Sequence, residues 1–576
     1  MANTALIRPM PPRATWPARI ALGVMACFLT GAAPVAPSWQ AFSHAYVEED
    51  FREDPNFAVS QGRHDFDGQL PDWSPAGLKH RTEFLRSSIA TAQGYGDAQL
   101  TPDQRFERDY LIAVAKGRLF WLADADQPHS NPAFYLTAGL DPALYTSRPY
   151  ADPTTRMKAM IAYLHHVPLA VAQVRANLRT PMPASFIKYG ISAFGGLSDY
   201  YGTDGKKAFE AVKDADLQRQ YDEAAAPAAS AMRDLSAWLK ANQASATQDF
   251  ALGAARFSRM LHDTEMVDTP LDRLTAIGRA DLARNEAALA QACSQYLPGS
   301  SIRACIDKAA LDKPAEGPVA AARLQVPMLR AFVTSHDIVS IPGTEQALVE
   351  QAPPYNAQNS AYIDPPGPFD KGVPSIYYIA PADPTWSKAQ QLAYIPNKGD
   401  LLFTTVHEVM PGHFVQFLHS NRAPSEIGRL YVGYAFAEGW AHYAEQMMWD
   451  AGLNAGDPEV HIGQLTNALL RDVRFLSAIG LHSGTMTQEQ SRQMFLDHGY
   501  QDAGNAEQQA ARGTYDPAYL NYTLGKLMIM KLRADWVATR GDRAAWKSFH
   551  DTFLSYGGPP IPLVRQQMTG RPGDGL

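Results

Sequence analysis

Four of the sixteen histidines fall within residues 407–442, at His407, His413, His419 and His442. The first two frame the run His407-Glu408-Val-Met-Pro411-Gly412-His413, and Ala437-Glu438-Gly-Trp-Ala-His442-Tyr-Ala-Glu445 follows. Two imidazoles and one carboxylate, with a fourth position left open, are the donor set of a catalytic zinc site. A glutamate beside the first histidine is placed to act as general base toward the activated water. The types and spacing therefore predict Zn2+ held by His407, His413 and Glu438, with Glu408 as the base. His442, one helical turn past Glu438, stays open as the alternative third ligand, and His419 is expected to be structural.

The spacing is unusual. Zinc-binding helices commonly carry their two histidines four residues apart, on one face. Here the separation is six, which on an unbroken helix turns His413 about 240° away from His407. Pro411 offers no N–H to the carbonyl of His407, so the helical ladder has to break there. The expectation is a bulged turn at Pro411-Gly412 that returns His413 toward His407. Proline and glycine cost ~3 and ~1 kcal/mol inside a helix. Their presence between two histidines argues for a local geometry that serves the site.

Supporting groups lie downstream. His482 and Tyr522 are candidate donors to the oxyanion that forms during amide hydrolysis. Glu445 is expected to orient a histidine ligand. Arg471 and Arg474 share a helical face, where they either clamp a substrate carboxylate or pair with acidic side chains. His262-x-x-Glu265 has half of a di-iron pattern but lacks its partner carboxylates and is set aside. Nucleophile-elbow, Walker and dinucleotide fingerprints are absent.

The elements that must position these groups read as helical almost throughout. Apolar residues recur at three-to-four spacing over Pro102 to Trp121, Pro153 to Leu178, Ala208 to Ala241 and Leu271 to Tyr296. Strand signals are few: Ser375 to Ala380 is the clearest, and Arg429 to Tyr434 is weaker. The expected fold is mainly α, a large helical body around a deep active-site cleft. A small antiparallel sheet that includes Tyr377 to Ile379 should lie near the metal. The Pro- and Asn-rich stretch Gln351 to Asp370 marks a boundary between an N-terminal helical half, 37–350, and a metal-binding half, 351–576, packed as one unit.

Composition narrows the classes. With 576 residues, 46% hydrophobic and 19% charged, the chain is ordinary globular material and long enough for a large core. A net charge of −8 gives no footprint for nucleic acid or anionic lipid. The first 36 residues combine Arg8, Arg13 and Arg19 with an apolar run from Ile20 to Ala33 and a small-residue exit, as a cleavable signal peptide does. Export to the periplasm or beyond follows, with lipid attachment at Cys27 a lesser alternative. No later segment reaches transmembrane length, so no stable membrane insertion is expected after cleavage. An oxidising compartment would allow Cys293 and Cys305 to join.

The run from His407 to His413 and the segment Glu438 to Glu445 resemble the bacterial domain-of-unknown-function 885 family. Gly62 to Ser74, Tyr377 to Pro381 and Tyr519 to Lys526 add to the resemblance, which spans nearly the whole chain after the signal. That family is in turn similar to helical zinc peptidases of the angiotensin-converting enzyme, thimet oligopeptidase and carboxypeptidase Taq type. The resemblance implies a helix-lined cleft, a Glu ligand on the helix after the histidine pair, and a secreted metallopeptidase acting on short peptides. The chain departs from those peptidases by the two extra residues between its histidines. It departs from its own family where Ala478-Ile479-Gly480 replaces an expected Asp-Thr-Gly. A zinc amidase acting on non-peptide amides, or a silent periplasmic peptide-binding protein, are the alternatives. An intact Glu408 separates them, since a binding relic needs no base.

Overall fold

A computed structural model describes residues 37–352 and 360–576. The expected signal segment, Cys27 included, lies outside the described residues. Trp39–Leu576 form one compact unit.

The unit is mainly α, as the periodicity requires. In the N-terminal part, α1 (Pro153–Asn177), α2 (Ala184–Gly202) and α3 (Ala215–Ala241) pack side by side. Asp152 caps α1 by accepting from the backbone of Thr154 and Thr155, which satisfies donors the helix start leaves open. The third of these helices starts seven residues later than its apolar pattern, because Asp214 caps the backbone at Asp216 and Leu217. Next come α4 (Ala254–Glu265) and α5 (Leu271–Tyr296). Cys305, on the short helix Ile302–Ala309, is disulfide-bonded to Cys293 of α5.

Three strands follow: β1 (Ala347–Gln351), β2 (Ala361–Asp364) and β3 (Ser375–Ile379). The sheet is mixed rather than antiparallel. Its order is β1-β3-β2, with β1 parallel and β2 antiparallel to the central β3. The chain leaves β1, passes through β2 on the far side and only then enters β3; such a crossover permits the parallel pairing. All five residues of β3 are buried, which accounts for its unbroken Ile-Tyr-Tyr-Ile run. The second expected strand is not one: Ser425 caps a short helix, Glu426–Leu430, and Tyr431 follows as a buried plug.

The chemistry-bearing segment supplies α6 (Lys398–Glu408), α7 (His413–Ser420), α8 (Tyr434–Asp450), α9 (Pro458–Ser483) and α10 (Asn521–Val537). The apolar core falls into two large clusters. One gathers α1 to α3 and the residues before them, with Tyr431 and Leu563. The other runs from Phe120 to Met568 and packs Val406, Phe414, Trp440, Phe475 and Leu524 around the helices just named. Among the described residues no helix is long and apolar enough to cross a membrane.

Candidate metal centre

The two histidines sit on different helices. The first, α6, ends at Glu408, three residues before Pro411, and α7 begins at His413. The expected bulge within one helix is therefore a full break. The backbone of Val409 and of Met410 both donate to Thr405 O, Gly412 N donates to Val406 O, and the Met410–Pro411 peptide is cis. Gly412 has no alternative here, because a Cβ would lie 1.8 Å from the carbonyl oxygen of His407. Trp440 of α8 donates its indole N–H to Pro411 O at 2.9 Å and ties the turn to the next helix. The result brings the two imidazoles edge to face, with ring centroids 4.8 Å apart.

Glu438, in the first turn of α8, completes the group. Its Oε2 lies 3.3 Å from Nε2 of His407 and 3.3 Å from Nε2 of His413. One donor atom from each of the three residues falls within 4.8 Å of the others. That buried Oε2 nonetheless has no hydrogen-bond partner. Zinc bonds of ~2.0–2.1 Å at tetrahedral angles put neighbouring ligand atoms ~3.3–3.4 Å apart. An orphaned carboxylate oxygen at that distance from two imidazole nitrogens fits a cation better than it fits a self-contained ion pair. Burial would raise Glu438, but the imidazoles hold it well below the usual carboxylate range.

Glu445 stands two turns along α8 and takes the other side of His407. The Nδ1–H of His407 donates to Glu445 Oε1 at 2.7 Å, which turns Nε2 toward Glu438. Arg471 of α9 lies 3.2 Å from the same oxygen, so of its two expected roles it takes the pairing one. Burial and the Arg471 charge oppose a proton on His407, yet Glu438 and Glu445 outweigh them and raise it to about 9. A proton and a metal ion thus compete for one lone pair. Glu408 is buried beside the pair, and burial raises its carboxyl above the ordinary value. Behind it, β3 presents the buried phenol of Tyr377, which burial and then the Glu408 charge push up.

Tyr522 joins the group by way of a tight helix crossing. A Cβ on Gly439 of α8 would lie 2.4 Å from the Cα of Gly525, so α8 and α10 approach to backbone contact. That places the Tyr522 ring 6.3 Å from the His407 ring and 5.9 Å from that of Tyr434. The Arg471 and Arg474 guanidiniums lie 5.7 and 5.1 Å from the Tyr522 ring. Arg474 is buried, donates to Gln509 at 2.8 Å and has no carboxylate partner among the described residues.

One expected participant and the alternative ligand lie elsewhere, and His419 is structural as expected. His482 is not in the cluster: its Nε2 donates to Gly513 O at 2.7 Å, its Nδ1 accepts from Leu252 N, and its ring stacks on Phe257. It lies seven residues beyond Phe475 on a fully buried stretch of α9, away from the metal group. Burial there lowers the imidazole to about 4. His442 faces the Glu445 side, with Nδ1 3.8 Å from Oε1, and no atom of it belongs to the three-residue group. His419 donates to Ser340 O at 2.8 Å. Tyr434 and Trp440 contribute to the site without having been singled out, and Trp440 alone carried a signal, through its place in Glu-Gly-Trp.

Two solved structures share this fold. A candidate lipoprotein of unknown function from Shewanella oneidensis aligns with a TM-score of 0.76 at 22% identity, over 92% of this chain and all of its own. A candidate lipoprotein from Colwellia psychrerythraea aligns at 0.78 and 16% identity, over 93% of this chain and 99% of its own. No curated protein matches the chain. The family model described as bacterial protein of unknown function (DUF885) matches residues 55–568, nearly the whole of the compact unit built above, and the chain belongs to that family.

Proposed function

We propose that the protein is an exported zinc-dependent hydrolase that cleaves amide bonds of short peptides. The observation that carries this reading is the convergence of two imidazole Nε2 atoms on an orphaned Glu438 oxygen, with the Glu408 carboxylate next in sequence to a ligand. His407, His413 and Glu438 would hold the metal. When bound, zinc supplies a Lewis acid that polarises the substrate carbonyl and makes water acidic enough to attack near neutral pH.

The chain's own groups divide the remaining work. Glu408 accepts the proton released by the attacking water and returns it to the departing amine. Tyr522, held over His407, donates to the oxygen that gains charge as the carbonyl becomes tetrahedral. Arg474 has a buried guanidinium with no acid of its own, and receives a carboxylate of the substrate. Glu445 and Arg471 keep His407 in its tautomer and orientation. An exported location is supported by the basic, apolar and small-residue pattern of residues 1–36 and by the lipoprotein descriptions of the two similar structures.

Metal analysis of the purified protein, followed by a mixed-peptide digest read by mass spectrometry, tests the reading. One zinc per chain and defined cleavage products are expected. Zinc with no peptide cleaved would favour an amidase acting on other amides or a binding protein. Absence of any bound metal after incubation with zinc would overturn the site itself.

A further inference from the structure

Near the histidine pair the fold forms a half-open cavity of about 500 Å³. Phe57, Tyr110, Trp121 and Tyr431 supply much of its apolar wall. Two other lining residues connect it to the metal site. Phe417 has its ring 6.4 Å from that of His413, and Tyr434 has its ring 5.9 Å from that of Tyr522.

Glu265, the last residue of α4, is the one carboxylate lining this cavity among the described residues. It is 2% exposed. Oε1 accepts from Asn521 Nδ2 at 2.8 Å, immediately before Tyr522 in the chain, whereas Oε2 is buried with no hydrogen-bond partner. Burial raises the carboxyl to about 8, against Asn521 and the backbone of Ala435. The cavity's cations do not neutralise it, because each is already engaged. Arg118 pairs with Asp50, Arg148 with Asp364, and Arg429 donates to the carbonyls of Ala423 and Pro424 beside Glu107.

A buried carboxyl with a free oxygen costs stability unless a partner arrives. Aromatic walls favour a cation over a neutral donor. Resting on the peptidase reading above, we propose that this cavity is the specificity pocket of the site and takes a cationic nitrogen of the substrate, with Glu265 as its counter-charge. The nitrogen is a side-chain ammonium or guanidinium, or the α-ammonium of a peptide terminus.

The test compares kcat/KM on peptide pairs that differ only in lysine against acetyl-lysine, and in a free against an acetylated N terminus. It uses the wild type, Glu265→Gln and Glu265→Met. The wild type should favour the cationic member of one pair by about tenfold or more, the value of a hydrogen bond to a charged group. The pair that responds identifies the source of the nitrogen. In both variants that ratio should collapse toward one; being a ratio, it is insensitive to the fraction of protein folded. Equal rates on both pairs in the wild type, or a ratio that survives in both variants, would overturn the proposal. If the wild type cleaves no peptide, the peptidase reading fails and the pocket is read by melting temperature with lysine amide against norleucine amide. A rise with lysine amide in the wild type alone supports the pocket, and no rise overturns it.

Discussion

Two buried polar clusters, one on α6, α7 and α8 and the other on α5, α9 and α10, solve one problem differently. In the first, His407, His413 and Glu438 direct donor atoms at a common point, and the carboxylate oxygen between them lies 3.3 Å from each imidazole nitrogen. In the second, Asp281 of α5 and Asp472 of α9 flank Lys526 of α10, whose ammonium lies 2.8 Å from Asp281. Asn285 donates to Asp472 at 2.6 Å. Against burial, Lys526 holds Asp281 low, while burial leaves Asp472 raised to about 7. The second cluster carries its own cation. On the function proposed above, the first is completed by an imported one, and that contrast would separate a group of charges that holds helices together from one arranged for a ligand.

The largest effect expected from breaking this contrast is catalytic. Glu408→Gln keeps size and shape but removes the base, so turnover should fall by ~10²–10⁴ with metal content unchanged. Loss of metal alongside activity would show that Glu408 helps to hold the ion.

Next in size is the self-contained cluster. Lys526→Met leaves two buried acids without their cation, and urea denaturation should register a loss of ~3–5 kcal/mol. Metal per folded chain should stay the same. A cost below ~1 kcal/mol would mean that Asp281 and Asp472 manage without the lysine.

The histidine cluster should behave in the opposite way. His413→Ala should change metal-free stability little while abolishing the stabilisation that zinc confers, which is ~2.7 kcal/mol at a hundredfold excess over Kd. His442→Ala and His419→Ala should keep the zinc-dependent rise. If His413→Ala retains full metal and His442→Ala loses it, the ligand assignment is wrong.

The smallest effect concerns Glu265, a carboxylate that belongs to neither cluster. Its folded value of about 8 stands above that of the unfolded chain, so between roughly pH 4.5 and 8 the native state holds a proton that the unfolded state has released. Its contribution is most favourable below that window and is lost as pH rises through it. Glu265→Gln removes the dependence, so the melting temperature of the variant relative to wild type should rise from pH 5 to 8. A constant difference would place the carboxyl's pKa near its ordinary value.

Much of the candidate site was legible because its signals are local. Helical periodicity and the incompatibility of Pro411-Gly412 with a continued ladder both act within a few residues. The length of the break was not legible, since where α6 ends depends on Trp440 reaching back to Pro411 O. Arg471 and Arg474 look alike in sequence, three residues apart on one helix. Only the position of Glu445 gives the first an acid and leaves the second without one.

The sequence by itself determined a mainly helical chain, the residue types of a metal site, and the need for a turn between its two histidines. Tertiary structure alone decided that His482 spends both nitrogens on backbone partners, that β1 joins β3 in parallel, and that Glu265 faces a cavity near Tyr522. The reason is distance along the chain. Glu265 meets Asn521 across 256 residues, and no periodicity or turn chemistry spans such a gap. Side-chain neighbours at that separation are set by how helix faces pack, which each segment specifies only in the company of the others.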